Sequence, residues 1–156
     1  MRAAFAVLSV LALSACSREP EAPAPGPAPE PVPVLAGVDL SRPVRALGTE
    51  PFWGVDLTGT EMVYSGADRP EQRAPQPRAV IQGTTATFDG VTAAGNPISV
   101  MLAATECSDG MSDRTYPLSA IVRIGDETLT GCAASVAAIM STGESGPVVE
   151  KAQPAG

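Results

Sequence analysis

The chain has 156 residues, with 17 Asp and Glu against 10 Lys and Arg, a formal net charge of −7, and no histidine. This acidic balance is typical of a poor nucleic-acid binder, so we expect no nucleic-acid partner. The absence of histidine excludes Ser-His-Asp and Cys-His catalysis, histidine-ligated zinc and a histidine pH switch.

The first fifteen residues have the composition of a secretory signal peptide. Arg2 supplies a positive start, and residues 3–13 form an apolar run that is too short to cross a bilayer, which needs about 20 apolar residues. Residues 13–16 (LSAC) resemble the lipobox of bacterial lipoproteins. We therefore predict that residues 1–15 are removed and that Cys16 carries the lipid. The alternative is an ordinary cleaved signal in which Cys16 is incidental.

The predicted lipid indicates where the protein works. Several acyl chains on one cysteine give stable anchoring, whereas a single chain binds only marginally. Ser17 follows the cysteine, and the lack of aspartate there favours the outer membrane over the inner membrane. We expect an outer-membrane lipoprotein of the bacterial cell envelope that faces the periplasm.

Residues 16–36 are predicted to form the lipidated cysteine and its tether. Seven of the fourteen residues from Pro20 to Pro33 are proline, a composition that favours an extended polyproline II spacer. At about 3.1 Å per residue it lifts the domain roughly 40 to 50 Å from the lipid. A ligand for a proline-binding domain is the alternative. At the other end, residues 141–156 are rich in Gly, Pro, Ser and Glu and are predicted to be a flexible tail.

Residues 37–140 are predicted to form one all-β domain. Short strands with turn residues between them recur about every ten residues, which favours a small antiparallel barrel or sandwich. The predicted strands are 52–57, 60–64, 79–82, 85–88, 98–102, 118–124 and 128–131. We expect tight turns at Asp89-Gly90 and Gly125-Asp126, a long exposed loop over 67–77, and at most one short helix, over 133–140.

Cys107 and Cys132 are the two cysteines that remain when Cys16 is assigned to lipid. Two thiols in an oxidising compartment favour a disulfide. Closing a loop of about 25 residues would stabilise the domain by roughly 3 kcal/mol. Two buried free thiols are one alternative. A reactive redox pair is the other, although such pairs are more usually spaced C-x-x-C.

The first candidate site is residues 47–53 (LGTEPFW), which contain the only tryptophan and one of three phenylalanines. Glycine and proline predict a tight turn into the strand that follows. Two interpretations stay open. Trp53 plugs the interior while Glu50 caps a turn, or both side chains line the mouth of a pocket.

The second candidate site is residues 107–117 (CSDGMSDRTYP). Asp109 and Asp113 place carboxylates in one loop, but calcium needs six to eight oxygens and the EF-hand spacing is absent, so we predict no metal. Met111, Arg114 and Tyr116 complete the candidate binding residues, and an ion pair between Asp113 and Arg114 would fix the loop. The alternative is a structural loop that satisfies its own hydrogen bonds, tied by the predicted disulfide.

Three blocks of sequence support a family resemblance. GTEPFW at 48–53, CSDGMSDRTYP at 107–117 and LTGCA at 129–133 look like blocks that occur in the same order in an uncharacterised family of bacterial envelope lipoproteins and predicted membrane proteins. Some members of that family carry the module beside META-type domains, the small β domains of heat-shock-related lipoproteins. The resemblance covers most of residues 46–133. It implies a β fold, the Cys107–Cys132 bridge and an envelope location, and it brings no reaction and no catalytic residue.

We therefore predict a non-enzymatic binding module, held to the membrane by its lipid, that recognises an envelope protein or a glycan. One alternative is an inhibitor of the lysozyme type, whose acidic loop would suit the cleft of a basic enzyme. The other is a hydrolase that uses Glu50, Asp109 and Asp113. No metal or cofactor is expected.

Overall fold

The computed structural model describes residues 31–150. The predicted signal peptide, Cys16 and most of the predicted tether lie outside the described residues. The strands are β1 (Val34–Leu35), β2 (Val38–Asp39), β3 (Val44–Thr49), β4 (Phe52–Leu57), β5 (Glu61–Gly66), β6 (Arg69–Pro75), β7 (Val80–Gln82), β8 (Thr85–Val91), β9 (Pro97–Ala103), β10 (Cys107–Ser108), β11 (Asp113–Tyr116), β12 (Leu118–Ile124), β13 (Glu127–Ser135) and β14 (Ser145–Pro147), and the helix is α1 (Val136–Ser141).

The main sheet has nine strands in the order β6-β5-β4-β3-β13-β12-β9-β8-β7. Every neighbouring pair is antiparallel, and the sheet is curled into a half-barrel. The predicted all-β antiparallel fold with one short helix and one disulfide is therefore confirmed. The short helix begins at Val136, because residues 133–135 continue β13 and the Ser135 hydroxyl accepts from the N–H of Ala138 as an N-cap.

The curl brings β6, at one edge, against β8 near the other edge. The N–H of Ala93 donates to the carbonyl of Arg73 at 3.0 Å. A Cβ on Gly90 would lie 2.7 Å from Cε of Met62 and 3.3 Å from the carbonyl oxygen of Pro75. The prediction of a turn at Asp89-Gly90 is wrong, because this glycine permits a close approach inside β8. The turn follows at residues 92–96.

The concave face of the sheet holds the main core. Inward residues alternate along the strands, and in β4 the inward residues Trp53, Val55 and Leu57 are all buried. Leu35, Val38 and Leu40 from the N-terminal segment join the same core.

A second, smaller layer covers the convex face. The strands β10, β11 and β14 form a three-stranded sheet that packs there with α1. Its buried residues, which we call the outer core, are Tyr116, Cys132, Ala134, Ala138 and Val148. Cys132 is bonded to Cys107, and alternation along β13 turns Cys132 outward while Ala133 faces the main core. No helix in the described part of the chain is long and apolar enough to cross a membrane.

The ordered domain is longer than the predicted 37–140 range. β1 begins at Val34, and β14 falls within the predicted tail, where it pairs in parallel with β11 and is followed by the fully buried Val148. Burial of this valine in the outer core holds the segment to the domain. The predicted exposed loop at 67–77 is also wrong, because its centre forms β6. Pro70 and Pro75 are tolerated in that strand because it lies at the sheet edge.

Candidate functional site

The β3–β4 turn and the 107–113 loop lie side by side. Thr49, the last residue of β3, donates its hydroxyl to the main-chain carbonyl of Asp109 at 3.0 Å. The disulfide fixes the base of the loop, because Cys132 pairs with Leu47 in the β13–β3 ladder. The structure thus joins the two segments that the sequence suggests as separate candidate sites.

The Asp109 carboxylate organises this loop from within. One oxygen accepts from the N–H groups of Met111 at 3.0 Å and Ser112 at 2.8 Å, and the other accepts from the hydroxyls of Ser112 at 2.7 Å and Tyr116 at 3.2 Å. Burial raises the pKa of Asp109, but the hydrogen bonds from Ser112, Met111 and Tyr116 outweigh it, and the pKa lies below its ordinary value. The carboxylate is a structural acceptor, which is the arrangement of a loop that satisfies its own hydrogen bonds.

Arg114 and Tyr116 also face inward. Arg114 donates to the carbonyls of Gly143 at 2.7 Å and Thr142 at 3.1 Å, just beyond α1. Among the described residues no ion pair joins Arg114 to Asp113, so the ion pair expected from the sequence is replaced by these carbonyl contacts. Burial raises the pKa of Tyr116, although its contact with Arg114 opposes the rise. Both side chains hold the outer layer together.

Trp53 is buried, with 6% of its surface exposed, and it lies against two glycines of neighbouring strands. A Cβ on Gly48 would be 2.6 Å from Cε2 of the indole, and one on Gly131 would be 2.9 Å from Cζ2. The two glycines leave the room that the ring occupies. This geometry matches the interpretation in which Trp53 plugs the interior.

Two grooves flank the end of β3 and share residues 47–49 as a wall. One has a volume of about 430 Å³ and runs between Arg45 and Phe52, beside Trp53. The other has a volume of about 560 Å³ and lies between Glu50 and Met111. Both volumes fall within the range that is usual for ligand pockets. Glu50 and Trp53 therefore line neighbouring grooves rather than one pocket mouth.

Each groove carries one exposed large apolar side chain. Phe52 is 56% exposed and lines the first, and Met111 is 67% exposed and lines the second. Sequence reasoning selects Met111 but misses Phe52. The signal was present, because the residue that precedes an inward Trp53 on a strand faces outward.

The N-terminal segment reaches the domain at the opposite end of the sheet. Pro31 lines a cavity together with Leu40 and Gly59, and Gly59 lies just beyond the C-terminal end of β4. Phe52 begins that strand, and the five steps from Phe52 to Leu57 span about 17 Å. The grooves are therefore distal to the point where the chain enters the domain.

Asp109→Asn should loosen the loop. An amide cannot accept with both of its heavy atoms, so at least one pair of donors is left without an acceptor, and we expect a loss of about 1 kcal/mol. Hydrogen exchange at the amides of Met111 and Ser112 should accelerate in the variant, while amides of β12 exchange at the wild-type rate. Equal exchange at all these amides in both proteins would contradict the assignment.

The same substitution should change the acid dependence of stability. The pKa of Asp109 is lowered in the fold below its ordinary value of 3.8, so its contribution to stability is present above that pH and is lost as the pH falls through the lower folded value. In urea unfolding, the free energy of unfolding of Asp109→Asn should therefore fall less than that of the wild type as the pH is lowered.

Within residues 31–150, no group of three or more His, Cys, Asp and Glu side chains is placed to hold a metal ion. Comparison with protein-family models, with curated proteins and with solved structures finds no match to this chain, so the family resemblance stays a prediction.

Proposed function

We propose that this chain is a lipid-anchored protein of the bacterial envelope whose β domain binds a protein partner through the face formed by the two grooves. The observation that carries the proposal is the exposure of Phe52 and Met111 on either side of Thr49. Aromatic residues and methionine are enriched at protein interfaces, and a soluble domain gains nothing by itself from exposing them.

The rigidity of this face supports binding. The loop that carries Met111 is held by the disulfide at its base, by Asp109 within it and by Thr49 beside it. Phe52 lies at the start of β4, in a ladder with β3. A preordered surface loses little conformational freedom on association, which favours affinity.

The predicted lipid anchor is compatible with a binding role for this face. A lipid on Cys16 and a spacer through residue 30 lead to Pro31, at the end of the sheet distal to the grooves. The point of attachment at Pro31 therefore lies outside the proposed face.

The geometry gives less support to the two alternatives. Asp109 is committed to four donors and has a lowered pKa, which does not suit a general acid at neutral pH. Asp109 also turns into its own loop, so its carboxylate is not free to enter the cleft of a basic enzyme.

A photo-crosslinking residue placed at position 52 or 111 in cells tests the proposal. Position 149 is the matched control, because Val149 is 52% exposed and lies beside Val38 and Pro117, away from the grooves. We expect one envelope protein to be captured from positions 52 and 111 and not from 149. Loss of this crosslink in the Cys16→Ser variant would show that the anchor places the protein near its partner.

Two results would overturn the proposal. Equal capture from all three positions would show that the grooves have no special role. Capture of peptidoglycan fragments or other glycan at positions 52 and 111, without protein, would replace the protein partner by a glycan.

A further inference from the structure

We infer that the partner presents a cationic side chain, lysine or arginine, to Phe52 beside the exposed acidic residues Glu50 and Asp68. This inference rests on the proposed function, because it specifies the chemistry of the partner for the same face.

Two acidic turns meet at Phe52. Glu50 precedes it by two residues in the β3–β4 turn. The N–H of Ala67 donates to the carbonyl of Phe52 at 2.9 Å, which places Asp68, in the β5–β6 turn, on its other side. Both acidic residues are exposed, and the ring is 56% exposed. Two exposed acidic residues, one in each turn, therefore lie near the start of β4, where Phe52 is exposed.

The nearby arginines are already occupied. Arg45, which lines the same groove, donates from one nitrogen to both carboxylate oxygens of Asp56, at 3.0 and 2.9 Å. Arg69, the neighbour of Asp68, forms an ion pair with Glu127. In the described range no ion pair involves Glu50 or Asp68. The surface around the ring thus keeps a negative charge that its own chain does not neutralise.

This arrangement selects for a cation. The face of an aromatic ring attracts an ammonium or guanidinium group, and the two nearby acidic residues add electrostatic attraction. An anionic group would be repelled by both, and a neutral apolar group would gain only contact area. Exposed charge pairs contribute modestly to the free energy of binding. We therefore expect the two carboxylates together to change affinity by about fivefold to tenfold at low salt.

Trp53 provides a direct readout, because it is the only tryptophan of the chain and lines this groove. The full chain in detergent micelles is titrated with two tryptophan-free peptides that alternate leucine with arginine or leucine with glutamate. We expect the arginine peptide to shift the Trp53 emission and the glutamate peptide to leave it unchanged.

Variants separate a specific site from general attraction to an acidic protein. Glu50→Gln with Asp68→Asn should weaken the arginine peptide fivefold or more, whereas Asp89→Asn with Glu144→Gln removes the same charge from other exposed positions and should change affinity less than twofold. Phe52→Leu keeps an apolar contact but loses the ring, and should weaken binding severalfold.

Either of two results overturns the inference: equal binding of the arginine and glutamate peptides, or equal weakening by the two charge-neutralising pairs. If crosslinking from position 52 still captures an envelope protein in that case, the proposed function stands and only the cationic chemistry is wrong. If crosslinking captures nothing while the arginine peptide binds as expected, the protein-binding proposal fails and the cation site remains.

Discussion

Replacing both Cys107 and Cys132 by alanine should lower the free energy of unfolding by about 3 to 4 kcal/mol, on a chain-entropy argument for this loop length. The bond joins residues that are 25 apart in sequence and ties β10 to β13. Cys132 is fully buried in the outer core, so the substitution also removes packing there. Urea unfolding of residues 16–156 with Cys16→Ser, followed by Trp53 fluorescence, measures the loss.

The location of the loss is as informative as its size. The main core does not include either cysteine, whereas the outer core includes Cys132, Tyr116 and Val148. Amide exchange should therefore accelerate most in β11 and β14 and least in β12. Dithiothreitol should reproduce the effect in the parent chain and have none on the alanine variant. A loss below 1 kcal/mol, or uniform acceleration across the main sheet, would contradict this account.

The variant without Cys107 and Cys132 also tests the proposed binding face. The base of the loop that carries Met111 is held by this bond, and the loop contacts Thr49. Loss of the bond should therefore reduce crosslinking from position 111 more than from position 52, which depends on the β3–β4 ladder.

The strands in which every second residue is apolar are predictable from the sequence. The predicted bounds 52–57 and 118–124 are those of β4 and β12 in the structure, because each buries one face against the main core. β3 is missed, since its inward positions include Gly48, where the Trp53 indole takes the room of a side chain. A pattern of hydrophobicity cannot show a position that is filled from another strand.

The errors elsewhere have the same origin in long-range contacts. Position 90 requires glycine because Met62 and Pro75, on strands distant in sequence, approach it closely, and not because it lies in a turn. The candidate site is similar, because the β13–β3 ladder and the disulfide bring together residues about sixty positions apart. The local sequence around Asp109 does not show that its carboxylate points into the loop.

Gly48→Ala should destabilise the domain by about 2 kcal/mol or more, because overpacking a close-packed interior forces side chains and backbone to shift. The added methyl group would lie 2.6 Å from Cε2 of the Trp53 ring and 2.9 Å from the carbonyl oxygen of Thr130. Gly143→Ala is the matched control, since a Cβ there meets nothing within 4 Å. Its effect on the urea midpoint should be close to zero.

A second glycine tests whether the ring itself is the cause. Gly131→Ala places its methyl group against the main-chain carbonyl of Leu47 as well as 2.9 Å from Trp53. In a Trp53→Leu background, the effect of Gly48→Ala should shrink by at least about 1 kcal/mol, the size of coupling expected for residues in contact. The effect of Gly131→Ala should persist, because the backbone obstruction remains. If Trp53→Leu rescues neither glycine variant or both equally, the indole does not occupy the space that these two glycines leave.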